Sequence, residues 1–596
     1  MDIKERLACL REEMKFRNID VYVVPTSDFH QTETVGNYFK AREFMSGFNG
    51  SEGNLVVTLD EAALWVDGRY FLQAAKQLEG SSIKKMEMGE PGVPTIENYI
   101  SEKTPQGGTV GFDGRVVNTH FAEEIAAAAL TKEGKIYCEE DLVDLVWQDR
   151  PALPKDKAWL VTEEFSGQSS REKIEKLQEY LVEKDCDMQI LSTLDDIAWL
   201  TNMRGNDVEF FPVVLAYMVV TTKEKYLFVD SSKLGEDLLS QFEADGVEIR
   251  EYDEIYDFVK TINVERVLVN LNTLNFKIYS NIPLAVEIVD EFSPTQLWKA
   301  CKNPVELENN KNAHIRDGVA QTKFIYWLKN AVKTEEVTEV SAAEKLLEFR
   351  KEQDRFIENS FETIAGYEKN AAFVHYHATE EDHAKLAPKG FLLVDSGGHY
   401  KDGSTDTTRT IVLGEVSDKQ KFHYTTVLRG MIRLSMAKFL QGCNGINLDI
   451  LCRGMMWEMG LDYKHGTGHG IGYISTIHEE PNGFRWRKVA GINDSAPLQE
   501  GMITSNEPGL YLEGEYGIRI ENELLTVKDV ANEYGQFMSF ETLTYVPIDK
   551  EAIDKSLMTQ YEIAWLDEYH QKVYEKISPF LDDDEKAWLR EATLPL

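Results

Sequence analysis

Two stretches of this chain repeat one plan, and a chain that carries the same module twice in its first half has little freedom over its architecture. An amphipathic helix over 5–15 leads into the apolar strand Asp20-Val-Tyr-Val-Val-Pro25, and 171–183 lead likewise into Asp187-Met-Gln-Ile-Leu-Ser192. Downstream, Phe44-Met-Ser-Gly-Phe-Asn-Gly50 aligns with Trp199-Leu-Thr-Asn-Met-Arg-Gly205, and Ala63-Leu-Trp-Val-Asp67 with Tyr226-Leu-Phe-Val-Asp230. Helical periodicity alternating with short strands predicts two copies of one α/β domain. A period of roughly 155 residues is too long for a solenoid, whose repeats reach about 50.

The chain has 596 residues, more than one core can serve, because cores stop growing near about 250–300. Pro151 and Pro154, then Pro294 and Pro304, read as linkers, since proline biases its predecessor away from helix and cannot pair in a central strand. The expected domains are 1–150, 151–300 and 301–596. From Thr295 the texture changes to long helical patterns (306–330 and 341–353) followed by glycine-rich strands, which predicts a third domain of mixed helix and sheet.

Charge narrows the function. Sixty-four Lys and Arg against 102 Asp and Glu give a net charge of -38, a surface that repels phosphate backbones and anionic lipid heads. Nucleic acid and membrane partners are therefore not expected. The longest nearly uncharged apolar run, 210–220, falls short of the roughly 18 residues a membrane span needs. Met1-Asp-Ile-Lys-Glu-Arg6 mixes both charge signs and lacks the pattern of a secretory leader, so a cytoplasmic location is expected. The six cysteines include no CxxC pair and read as buried reduced thiols.

Eight of the twelve histidines lie between His375 and His478, which locates the chemistry in the third domain. The segment Phe391-Leu-Leu-Val-Asp395-Ser-Gly-Gly-His-Tyr-Lys-Asp-Gly-Ser-Thr-Asp406 continues to Arg409 and reads as a strand, a glycine-rich turn and a returning strand with an acid on each arm. The segment 503–521 repeats that plan with Glu507 and Glu521. Acids at the ends of apolar strands are costly unless a partner compensates them, and no run of Lys or Arg accompanies these. Four carboxylates suit two divalent cations: Mn, Mg or Ca for oxygen donors, with Zn or Co favoured more once imidazole joins. Between the hairpins, His465-Gly-Thr-Gly-His469-Gly and then His478-Glu-Glu-Pro481 supply imidazoles on a chain stripped of bulk.

These residues, with Gly366-Tyr367-Glu-Lys-Asn370-Ala-Ala-Phe-Val-His375-Tyr and Arg519-Ile-Glu521, resemble the aminopeptidase P (Xaa-Pro aminopeptidase) family of the creatinase and methionine aminopeptidase superfamily, in its long three-domain cytosolic form. The resemblance spans essentially the whole chain. It implies an α/β fold in the broad α+β sense, with two creatinase-like amino-terminal domains related by duplication and a carboxy-terminal pita-bread catalytic domain. It implies two divalent metals, normally Mn2+. Asp395 would chelate one metal and His469 and Glu507 the other, with Asp406 and Glu521 bridging both. The activity implied is release of the amino-terminal residue from peptides with proline second, by attack of a metal-bridging hydroxide. Glu507 matches the family's proton shuttle, His375 and His478 its outer histidines that hold the carbonyl oxygen and the peptide, and His465 a histidine near the proline pocket.

Some roles stay open. The three outer histidines have hydrogen bonding to the metal-binding carboxylates as their alternative. Arg519 shares a strand face with Glu521 and either orients a ligand carboxylate or contacts substrate. Arg204 either reaches towards the active site or forms a salt bridge elsewhere, and His377, His383, His399 and His423 receive no role. A prolidase-like Xaa-Pro dipeptidase is the alternative function, set against the duplicated amino-terminal half. A creatinase-like hydrolase would lack the metal ligands, and a peptide-binding pseudoenzyme would have lost at least one. The resemblance also implies a homodimer, with 558–573 as its candidate segment.

Overall fold

The structure, a computed structural model, describes residues 1–489 and 493–596. It divides into two compact units, the first made of Met1–Leu160 and Gln168–Thr295, the second of Val161–Gly167 and Gln296–Leu596.

The first unit contains two six-stranded sheets of one topology. Numbered along the chain within each sheet, the strands lie in the order 4-3-2-1-5-6, from Lys84–Glu87 to Lys135–Tyr137 in one sheet and from Glu248–Arg250 to Glu287–Asp290 in the other. The pairing senses agree as well. The first strands, Val21–Pro25 and Met188–Leu191, each run antiparallel to the second strand and parallel to the fifth. The repeated helices are Ile3–Arg17 and Ser170–Glu183, each opened by a capping box, Asp2 with Glu5 and Ser169 with Glu172, which satisfies N–H groups that a helix start leaves unpaired. Leu7, Leu10 and Met14 are fully buried on one helix, and Ile174, Leu177 and Leu181 on the other, at the spacing of one helical face. The apolar run 210–220 ends in Ala216–Thr221, a strand held between Met188–Leu191 and Lys225–Val229, and no helix among the described residues is long and apolar enough to cross a membrane.

The helix Pro294–Ala300 leads from the last residues of the first unit into the second, and Pro304–Thr334 follows it. The sequence reading of Pro294 and Pro304 as linkers needs correction here. Both stand at the first position of a helix, where the missing N–H costs nothing. Asn303 caps the longer helix with Glu306 in a capping box, and Glu339–Lys351 follows. Two sheets then carry the hairpins. One has three strands, Ile364–Tyr367, Phe391–Ser396 and Thr407–Val412; the other has six, with Asn522–Asn532, Ile503–Asn506 and Gly468–Gly470 as successive neighbours. Helices Asp418–Ser435 and Gln560–Ile577 fill the core beside them.

Gln560–Ile577 buries Ile563, Leu566, Tyr569, Val573 and Ile577 in that core. Its apolar face packs within the chain. The segment Val161–Gly167 belongs to the second unit although the chain on both sides belongs to the first. Asn303 Nδ2 donates to the Ser166 carbonyl at 2.8 Å, Asn309 Nδ2 to that of Glu164 at 3.1 Å, and the Tyr473 hydroxyl to that of Phe165 at 2.8 Å. All six cysteines are free thiols, but only Cys186 and Cys452 are buried; Cys9 is exposed, contrary to the sequence expectation.

Candidate metal centre

Both hairpins of the second unit are built in two tiers. Phe391–Ser396 pairs with Thr407–Val412, and beyond a break Gly398–Tyr400 pairs with Gly403–Ser404. In the same way Ile503–Asn506 pairs with Asn522–Asn532, and Gly509–Leu512 with Tyr516–Arg519. Asp406, Glu507 and Glu521 each occupy a break between tiers, where the ladder stops, and Asp395 is the penultimate residue of its strand.

These acids converge with one imidazole. His469 Nε2 lies 3.5 Å from Asp406 Oδ2 and 3.3 Å from Glu507 Oε1. Asp406, His469 and Glu521 each offer a ligand atom within 4.8 Å of the others. His469 Nδ1 is 2.9 Å from the Gly470 carbonyl, which can only accept, so the ring proton sits on Nδ1 and the Nε2 lone pair faces the acids. The His469 backbone N–H donates to Ser505 Oγ, whose hydroxyl donates to Glu507 Oε1 at 3.1 Å.

Asp406 and Glu521 are buried, and burial together with the surrounding carboxylates pushes both carboxyls well above their ordinary range. Burial also raises Glu507, to about 7, with Asp395 adding to the shift while Arg519, His478 and the Ser505 hydroxyl oppose it. Asp395 receives Arg519 through Nη2 at 2.6 Å and Nε at 3.1 Å, both on Oδ2. Its other oxygen, Oδ1, is buried with no hydrogen-bond partner. Crowded acids, an orphaned carboxylate oxygen and an imidazole presenting its lone pair fit divalent cations.

Arg519 therefore supplies Asp395 with the cation that no run of basic residues offered. Its Nη1 also donates to the Tyr511 hydroxyl at 2.7 Å, which in turn faces His465 Nε2 at 2.9 Å. Burial, then the Arg519 cation, push His465 down to about 3, so this imidazole is neutral. The His478 ring stands perpendicular to that of His469 at 4.2 Å between centroids. His375 is exposed, within electrostatic reach of His465. Arg204 lies buried in the first unit and donates to the carbonyls of Ala198 and Met203.

Sequence reasoning missed several supports. Thr408 Oγ1 donates to Glu521 Oε2 at 2.8 Å, and Glu523 Oε1 accepts the Asp406 N–H at 2.6 Å. Glu523 Oε2 lies 3.0 Å from His314 Nε2, and both side chains are buried. The signal for Glu523 was present, since it follows Glu521 by two along a strand and shares its face. His314, on a helix two hundred residues away, gave none. His399 and His423, left without a role, bond Ser404 Oγ and the Tyr516 hydroxyl instead.

Comparison with known proteins bears on the family. Creatinase/Prolidase N-terminal domain models match residues 6–144 and 149–306, the metallopeptidase family M24 model matches 308–528, and a model of the C-terminal region of peptidase M24 matches 536–596. Aminopeptidase P2 of Arabidopsis thaliana is 38% identical over 97% of this chain and 86% of its own length. Xaa-Pro aminopeptidase 1 of Dictyostelium discoideum is 36% identical over 100% of this chain and 97% of its own. Among solved structures, the X-prolyl aminopeptidase of Caenorhabditis elegans, described as a cytosolic enzyme with a di-nuclear active site, superposes with a TM-score of 0.94 at 34% identity, covering 100% of both chains. The Xaa-Pro dipeptidase of Bacillus anthracis reaches 0.51 at 26% and covers 64% of this chain. With full-length relatives well above 30% identity and an M24 match over the unit that gathers the acids and His469, this chain belongs to metallopeptidase family M24, in its aminopeptidase P branch.

Proposed function

We propose that this chain is a metal-dependent aminopeptidase that releases the amino-terminal residue from peptides with proline in second position. The observation that carries the reading is His469 Nε2 facing Asp406 and Glu507 inside a set of four carboxylates. Asp395, Asp406, His469, Glu507 and Glu521 are the proposed ligands of two divalent cations. Manganese is the proposed ion, because the set is four parts oxygen to one part imidazole. Bound there, the cations supply Lewis acidity towards the scissile carbonyl and make water acidic enough to attack near neutrality.

The chain's own residues do the rest. Glu507 takes the proton of the attacking water and passes it to the leaving proline nitrogen, a task that positioned carboxylates perform. His375 and His478 contact the carbonyl oxygen and the peptide, and neutral His465 lies beside the proline. Arg519 fixes Asp395. The domains proposed are 1–150, 151–300 and 301–596, supported by the two sheets of the first unit. A homodimer in the cytoplasm completes the proposal.

The test compares Arg-Pro-Pro, Arg-Ala-Ala, the dipeptide Ala-Pro and an amino-acetylated Arg-Pro-Pro under one Mn(II) condition. Rapid cleavage of the first alone supports the proposal. Preference for Ala-Pro would move the assignment to a dipeptidase, and cleavage of the acetylated peptide would refute amino-terminal recognition.

A further inference from the structure

The segment 463–470, a loop that runs into the strand Gly468–Gly470, carries His465 and His469, yet Gly466, Gly468 and Gly470 leave it few side chains with which to hold itself in place. The glycines are needed for close approach: a Cβ on Gly468 would meet the Ser505 carbonyl oxygen at 1.8 Å. Such a loop has to be fixed from outside.

Helix Gly445–Trp457 provides the anchor. Asp449 and Arg453, one turn apart and fully buried, pair through Nε–Oδ2 at 2.7 Å and Nη2–Oδ1 at 3.1 Å. A buried ion pair is tolerable only when its remaining donors and lone pairs find partners, and here the loop supplies them together with Asp462, whose Oδ1 accepts Arg453 Nη1 at 3.1 Å. Arg453 Nη1 donates to the Tyr463 carbonyl at 2.8 Å, and Nη2 to the His465 carbonyl at 3.1 Å and Thr467 Oγ1 at 3.3 Å. The guanidinium carbon stands 3.9 Å from the Tyr463 ring centre. Asp449 Oδ1 accepts the Thr467 hydroxyl at 2.6 Å. The Thr467 carbonyl then accepts the Glu507 N–H at 2.8 Å, which carries the chain of contacts to the second hairpin.

We propose that Asp449 and Arg453 form a positioning clamp that fixes the loop bearing His465 and His469 and, through Thr467, the backbone at Glu507. Neither residue belongs to any motif that marks the site. The clamp acts on geometry: it touches three of the five residues between Tyr463 and Thr467 by planar, directional bonds that a guanidinium makes and an ammonium does not. Its consequence for turnover rests on the peptidase reading above; its consequence for cation binding does not.

Arg453→Lys keeps the charge opposite Asp449 and removes the fork, and Asp449→Asn keeps the shape and removes the charge. Each full-length variant is measured for Mn(II) affinity by chelator competition, for kcat and KM on Arg-Pro-Pro at saturating Mn(II), and for thermal melting. The clamp predicts Mn(II) affinity weakened by about tenfold or more, in the range of other outer-shell partners. It also predicts kcat per metal-loaded chain down at least about tenfold with KM changed less, at temperatures where the variants are folded. Wild-type affinity and kcat in the folded Arg453→Lys protein would overturn the clamp, as would losses that track only the folded fraction. If the wild type cleaves no Xaa-Pro peptide, the peptidase reading fails while the Mn(II) affinities still decide the clamp.

Discussion

His469 can present Nε2 to the acids because the Gly470 carbonyl holds the proton on Nδ1, and the neighbouring carboxylates crowd one another strongly enough to need compensation. Asp406→Asn or Glu521→Gln removes one charge from that crowd. Each is expected to leave fewer than two metals per chain, as read by elemental analysis after gel filtration; two retained metals with full activity would remove these residues from the ligand set. Glu507→Gln keeps the side-chain size but cannot carry a proton, so turnover should fall about a hundredfold or more, within the usual acid–base range, measured with metal occupancy in the same sample. At this scale the acids and His469 were legible in the sequence, because hairpins with glycine-rich turns announce themselves locally. The pairing of Arg519 with Asp395 was not, since 124 residues separate them and only the fold brings them together. Arg453 was invisible for a different reason, as a buried arginine on an apolar helix reads like any solvated one.

At the scale of elements, helices Pro304–Thr334 and Glu339–Lys351 are tied to the first hairpin by one buried ion pair. Asp317 accepts Arg350 Nε at 2.8 Å, Gln321 Nε2 at 2.7 Å and the Tyr400 hydroxyl at 3.0 Å, and Arg350 Nη2 donates to Ser396 Oγ beside Asp395. Burial would raise the Asp317 carboxyl, but Arg350, Gln321 and Tyr400 outweigh it and hold it below its ordinary value. A depressed carboxyl contributes stability that is present above the unfolded value of about 4 and is lost as pH falls through the folded value. Asp317→Asn should therefore cost about 3–5 kcal/mol at pH 7, the scale of a buried pair broken on one side. The gap between variant and wild type should narrow below about pH 4, where the wild type begins to lose the same contribution. Urea unfolding of both proteins across pH 3–7 checks it; a gap that stays constant with pH would dissociate the loss from this ionisation. Helix periodicity made both helices readable, with bounds that moved outward by a few residues where Asn303 and Thr338 cap them. Proline misled, because the same residue that breaks a helix also starts one.

For the whole molecule, separate cores in two compact units predict that unfolding need not be one event. Calorimetry is expected to resolve two transitions, of which Mn(II) raises only that of the unit holding the acids and His469, since a ligand stabilises what it binds. A single transition, or an equal shift of both, would mean that the units unfold together. The duplication was readable because helix, strand and turn recur in one order, down to the two sheets of like topology. The placement of Val161–Gly167 in the second unit was not readable, since seven residues carry no periodicity of their own. That short segment also sets an order on biosynthesis. At about 5–20 residues per second, a ribosome delivers Val161–Gly167 several seconds or more before Asn303, Asn309 and Tyr473 exist to receive it. During translation the first unit can complete its sheets before the strap's docking site has been made, and a stalled or truncated message would release a chain with that strap still waiting.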